Sequence, residues 1–299
     1  MSSQRTVRPG YPVGVASMLR PLRRGPGDPT YKIIGEDHWR AVRTPQGTAT
    51  LRLRQRGTEV ESQAWGEGAE WVLEQVPALL GAEDRPEEFH TDDPLLAGLL
   101  ERFEVPRFGR TQLMMEALVP AIIEQKVTSQ EAFRGFGAMV RRFGEVAPGP
   151  DHGLRVQPSP QTLRTIPSWD WLRMPVDPAR SKAVLQAARV ASAIERTVDL
   201  AGDEVERRLT TIPGIGEWTV AEVRQRALGD PDAVSFGDYH IAKDMGWALT
   251  NQTWSDDQLR EYLEKFRPHR GRVVALVYRA AGKRPRRGPR MSPRTHLPR

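Results

Sequence analysis

The 299-residue chain contains no cysteine. That removes a disulfide framework, a thiolate nucleophile, a cysteine-ligated zinc and any iron–sulfur cluster. No stretch approaches the ~18–20 consecutive apolar residues that span a bilayer, and the opening MSSQRTVRPGYPVG lacks the apolar core of a signal peptide. A cytoplasmic protein with no membrane partner is the expectation. The six histidines, at 38, 90, 152, 240, 269 and 296, show no metal-ligand spacing, and no metal site is expected. Neither a Walker phosphate loop nor a Gly-x-Ser-x-Gly elbow occurs. What is present is a globular composition, 38% hydrophobic and 27% charged. The length suits roughly two domains of about 100–200 residues each.

The net charge of +6 is unevenly placed. Residues 1–24 carry five arginines and no acid, and residues 283–299 carry seven cations and no acid. Taking those twelve from the 44 cationic residues leaves 32 against 38 acids, so the body carries a net charge of −6. The Arg-Pro-Gly composition of the two ends buries little apolar surface. It reads as a basic flexible leader over 1–29 and a basic disordered tail over 283–299.

Between them, Thr48–Arg54 alternates with period two, placing Ala49, Leu51 and Leu53 on one face of a half-buried strand. Extended segments at 31–36, 38–44 and 58–65 complete a small antiparallel sheet. From Glu70 the period becomes helical through Trp71, Val72, Val76, Leu79 and Leu80, stopping at Gly81. Beyond 93 every long pattern is helical. Thr128-Ser129-Gln130-Glu131 is a capping box opening a helix that turns Phe133, Phe136, Val140 and Phe143 inward, and Pro120 must start or kink the helix before it. Trp169 and Trp171 read as packing at a loop. The fold class is therefore mainly α, a mixed α/β domain over 30–92 followed by an all-α domain over 93–282.

The most informative string is Leu209-Thr210-Thr211-Ile212-Pro213-Gly214-Ile215-Gly216-Glu217-Trp218-Thr219-Val220-Ala221. A helix ending at proline, a Gly-x-Gly turn and an immediate second helix make a tight hairpin whose turn amides point outward, a geometry that binds phosphate. A dinucleotide fingerprint is excluded, because it needs a preceding strand and a third glycine where Thr219 stands. An ordinary helical turn with glycines for close packing is the simpler alternative for Gly-x-Gly alone.

With this hairpin the chain resembles the helix-hairpin-helix DNA glycosylases, and within them most the 3-methyladenine DNA glycosylase II group. Other segments carry the resemblance as well: Ala121-Ile122-Ile123-Glu124-Gln125-Lys126-Val127-Thr128, Arg180-Ser181-Lys182-Ala183, Val234-Ser235-Phe236-Gly237-Asp238-Tyr239-His240-Ile241-Ala242-Lys243 and Phe266-Arg267-Pro268-His269-Arg270. It covers roughly residues 30–282 and implies two helical lobes with an active-site cleft between them. It makes Asp238 the catalytic carboxylate, and chemistry agrees, since cleaving an N-glycosidic bond builds oxocarbenium character that one buried carboxylate stabilises. An N-cap for the next helix is the plainer role for Asp238. The resemblance assigns Gly214, Ile215, Gly216 and Thr219 to the DNA backbone.

Where relatives that also cut the strand place a lysine nucleophile, this chain has Trp218, which forms no Schiff base. A monofunctional enzyme is implied, with Trp218 stacking on a flipped base or, alternatively, filling core. The base pocket would be completed by Gln125, Tyr278 and Glu222. Relatives tend to carry an aromatic at the last of these, so Glu222 either faces solvent or accepts hydrogen bonds from a base. Lys126 stands where relatives put an apolar wedge. His240 and Lys243 flank Asp238, facing solvent or touching phosphate. No cofactor is implied, although the hairpin carbonyls leave room for a structural monovalent cation. The expected partner is double-stranded DNA with damaged bases, bound by a monomer associated with the nucleoid. Alternatives are a glycosylase for deaminated or oxidised bases and a non-catalytic module that binds bent or abasic DNA.

Overall fold

The computed structural model describes residues 2–281 and 284. Five antiparallel strands, β1 (Ser2–Val7), β2 (Tyr31–Ile34), β3 (Asp37–Thr44), β4 (Gly47–Arg56) and β5 (Glu59–Trp65), form one sheet in the order β1-β5-β4-β3-β2. The alternation in β4 dictates its burial. Ala49, Leu51 and Leu53 are fully enclosed, packed with Val60 and Ala64 of β5 and with Val72 and Leu73 of the helix Ala69–Glu74. On the other face Trp39 and Ala41 meet Leu154 and Val156, delivered by a two-stranded ribbon (Glu145–Val146 and Arg155–Val156) that returns from the helical part of the chain.

The expected flexible leader at 1–29 is instead folded. β1 pairs along its whole length with β5, from Ser2 opposite Trp65 to Val7 opposite Val60, and Val15 and Leu19 are buried in the sheet's core. β1 itself, Ser2–Val7, contains neither proline nor glycine, so every residue in it can donate to the ladder, which a composition count over the whole leader conceals. The basic tail expected at 283–299 lies, apart from Arg284, outside the described residues.

Two separate apolar clusters organise the helices. One runs from Met114 to Ala227 and includes Met139, Trp171, Val184, Val205 and Val220. The other joins Phe89 and Leu96 to Val234, Met245, Leu259 and Val273. The boundary expected at 92/93 therefore falls inside a packed unit, because Phe89 belongs with the second helical core. The Thr128 capping box is present, with Phe136 and Val140 buried and Phe133 and Phe143 half-buried. Pro120 sits within the helix Met114–Ile123. Trp171 is core, whereas Trp169 is 62% exposed on the helix Ser168–Arg173 rather than packed at a loop.

Candidate functional site

The hairpin is built as the sequence dictates. The helix Gly202–Leu209 buries Val205 and Leu209, Pro213 follows its end, and the helix Glu217–Val223 begins after Gly216. Ile212 and Ile215 anchor the turn in the core, and Ile215 N–H donates to the Ile212 carbonyl at 3.0 Å. The two glycines differ in kind. Gly214 has φ +89°, and a Cβ there would stand 2.8 Å from Ala183 Cβ, so it allows both the left-handed turn and close packing on the helix Pro178–Arg189. A Cβ on Gly216 would meet nothing within 4 Å, so its backbone fronts open space at the start of a helix. The side chains of Ile215 and Thr219 are buried.

Gln125, expected in the base pocket, holds the hairpin turn through its side-chain amide. Its Nε2 donates to the Gly214 carbonyl (2.9 Å) and to Thr219 Oγ1 (2.8 Å), tying the end of the helix Met114–Ile123 to the hairpin turn. Beside it Lys126 is exposed with φ +53°, at the apex of the turn between that helix and Ser129–Phe143.

Asp238 stands on the loop joining the two helical cores. Its Oδ1 accepts from His240 N–H at 2.7 Å and Ile241 N–H at 3.2 Å, at the entry to the helix Ile241–Thr250. Its Oδ2 faces the other lobe, where Trp218 Nε1–H donates to it at 3.4 Å. The N-cap of that helix is His240, two residues on, and the two oxygens of Asp238 have different partners. The carboxylate and the indole are both half-buried.

The loop is braced on several sides. Asp232 receives Arg270 Nε (2.9 Å) and a second guanidinium N–H (2.7 Å), Gly237 N–H donates to Asp256 Oδ1 (2.8 Å), and Gln225 Nε2 donates to the Ala233 carbonyl (3.0 Å). Arg260, which spans the lobes, holds both carboxylate oxygens of Glu217 at 2.7 Å while lying 4.0 Å over the Phe236 ring. Sequence reasoning missed this clamp. Its residues lie 43 apart, and neither has a local pattern that singles it out.

Glu222 departs from expectation. It is only 9% exposed, with Oε1 accepting from Ser235 Oγ (2.5 Å) and Oε2 from Arg226 (2.6 Å), so both oxygens have protein partners and the side chain does not face solvent. Burial pushes its carboxyl up, but the Arg226 charge, the Ser235 and Arg226 hydrogen bonds and the nearby Arg24 bring it below the usual range. Tyr278, on the helix Arg270–Ala281, is half-buried, and its hydroxyl donates to Asp244 at 3.2 Å. Burial, then the charge of and bond to Asp244, then the charge of Asp238 hold that phenol protonated well above its ordinary value. Lys243 caps the exposed Tyr239 ring at 3.8 Å, and the His240 ring meets it edge-on. Among the described residues no group of three or more acidic or histidine side chains could hold a metal ion.

No family model matches the chain. The protein described as a probable bifunctional transcriptional activator/DNA repair enzyme AlkA of Mycobacterium tuberculosis is 30% identical over 162 residues, which are 52% of this chain and 32% of that one. The matched stretch is thus about a third of the length of these curated relatives. A 3-methyladenine DNA glycosylase from Archaeoglobus fulgidus superposes with a TM-score of 0.76 at 18% identity, covering 91% of this chain and 96% of that one. The 8-oxoguanine glycosylase/lyase of Clostridium acetobutylicum, solved with double-stranded DNA, gives 0.69 at 14% identity, with 94% and 97% covered. The fold is that of the helix-hairpin-helix DNA glycosylases, including the preceding sheet domain. Within that class the chain resembles the 3-methyladenine glycosylases, in sequence through the AlkA match and in shape through the Archaeoglobus enzyme.

Proposed function

We propose that the chain is a monofunctional DNA glycosylase that extrudes a damaged purine from duplex DNA and hydrolyses its N-glycosidic bond. The observation that carries this is Asp238: one oxygen is fixed by two backbone amides while the other accepts from the Trp218 indole of the hairpin's second helix. As the bond to the base breaks, the base leaves with the bonding electron pair and positive charge grows on the sugar, where the carboxylate stabilises it. Water then adds its oxygen to the anomeric carbon and gives a proton to Asp238. An abasic site and a free base result. No step needs a cofactor. The Ile212 and Gly214 carbonyls each accept one protein hydrogen bond and keep a lone pair with which a monovalent cation could be held.

Trp218 in place of an amine nucleophile supports hydrolysis without strand cleavage. Alkylated purines lead as substrates, because a base already carrying positive charge is a good leaving group, and an aromatic wall with one carboxylate suffices. The likeness to an 8-oxoguanine glycosylase/lyase keeps oxidised or deaminated bases as the second reading. Backbone contacts by Gly214, Ile215, Gly216 and Thr219, with Lys126 filling the vacated stack, complete the proposed complex of one monomer on DNA. The test is release of free base from alkylated, deaminated and oxidised duplexes side by side, with strand cleavage scored in parallel. Release from the alkylated duplex with the strand intact is expected. Release from another duplex shifts the substrate, cleavage overturns the monofunctional reading, and no release from any duplex leaves a DNA-binding module.

A further inference from the structure

We propose that Glu222 is a positioning residue, fixing the Asp238 loop to the hairpin's second helix through Ser235. The inference rests on Asp238 being the reacting carboxylate.

The chain of contacts is continuous. Glu222 Oε1 accepts from Ser235 Oγ at 2.5 Å, and the Ser235 carbonyl accepts from Asp238 N–H at 3.2 Å. Ser235 is 1% exposed, so its hydroxyl has no water to turn to. The charge behind the bond is itself anchored. Arg226 reaches Glu222 Oε2 at 2.6 Å and the Glu222 carbonyl at 3.0 Å, while its Nε donates to the Pro21 carbonyl at 3.1 Å in the folded N-terminal segment.

A hydrogen bond to an ionised, desolvated acceptor is roughly twice as strong as a neutral one. Here it joins the lobe bearing Trp218 to the loop bearing Asp238, the pair whose 3.4 Å contact defines the site. Losing the charge should loosen the loop while leaving the hairpin's DNA-facing backbone in place. Displacement of a reacting group by about 1 Å costs up to about a hundredfold in rate. A Glu222 serving stability alone would leave the rate of the folded enzyme unchanged.

The experiment uses the full chain carrying Glu222→Gln, Ser235→Ala or both, at a temperature where circular dichroism shows each folded. Single-turnover excision at saturating enzyme, affinity for the same duplex, and the Trp218 indole N–H resonance, assigned by its loss in Trp218→Phe, are measured. Expected are excision slower by about ten- to a hundredfold with affinity retained, a double variant no slower than the slower single, and a displaced indole resonance in each variant. Unchanged excision with an unmoved resonance overturns the proposal, as do losses that multiply in the double variant. If Glu222→Gln does not fold, Ser235→Ala, which deletes one oxygen, decides the question on the same criteria. If the wild-type protein excises no base at all, the glycosylase reading fails separately, and the indole resonance alone decides whether Glu222 holds the loop.

Discussion

In the proposed reaction Asp238 would serve structure and chemistry at once. Its Oδ1 accepts from the amides at the entry to the helix Ile241–Thr250 and its Oδ2 meets the Trp218 indole, so the two roles would not compete. Asp238→Asn keeps a carbonyl oxygen for the His240 and Ile241 amides but turns an uncharged NH₂ donor toward the Trp218 indole donor. Folding and DNA affinity should therefore survive, while single-turnover excision falls by about 10²–10³. A variant excising at the wild-type rate would contradict the assignment. The sequence singles this residue out because the hairpin and the Asp-Tyr-His string lie within 25 positions of each other. The surroundings of Glu222 were not legible: no local pattern shows that Ser235 and Arg24 would supply it with a buried hydrogen bond and a charge.

Among elements, the hairpin makes the sharpest prediction because its two glycines do different work. Gly216→Val should fold normally, as nothing lies near the new side chain, yet weaken binding to lesion and undamaged duplex alike. Gly214→Ala should cost about 1–3 kcal/mol of stability through the left-handed backbone and the Ala183 contact. Denaturant titration and duplex binding separate the two, and a Gly216→Val that loses lesion DNA alone would refute a backbone role. In the sheet, β2 and β3 bring Tyr31 Oη to 2.6 Å from His38 Nδ1. Burial first, then the Arg23 charge, lower the pKa of His38, with Asp37 opposing. The unfolded histidine takes up a proton near pH 6.5 while the folded one does not, so stability should fall as pH drops through about 6.5 and level off below the folded value. His38→Gln should flatten that slope in melting temperature between pH 8 and 5. An equally steep slope would move the effect to His269, whose pKa is lowered by burial and Arg272.

For the whole molecule, the folded leader changes the charge argument. Two of its five arginines pair with acids of the body, Arg8 with Glu59 and Arg24 with Glu124, and Arg24 is buried. With residues 25–282 at a net −6, the long-range attraction of the glycosylase reading should come largely from the seven cations of 283–299. Deleting residues 285–299 should lower affinity at low salt, with each lost phosphate contact reducing the slope of log K against log salt by about 0.9. Excision at saturating enzyme should hardly change. Equal slopes for the two proteins would assign DNA attraction to the helical body.

The sequence by itself determined whatever is local: the period-two face of β4, the Thr128 capping box, the Pro-Gly-Ile-Gly hairpin and an aspartate opening the next helix. Each is encoded within a few residues by dihedral preference, side-chain alternation or a single cap. Tertiary structure alone decided what joins distant segments. It laid the arginine-rich N-terminus along the edge of β5, moved Phe89 into the second helical core, turned Gln125 onto the hairpin and buried Glu222 against Ser235. Whether a strand finds a free sheet edge, and which partners surround a buried charge, is set by segments that only folding brings near. No pattern within one segment carries that information.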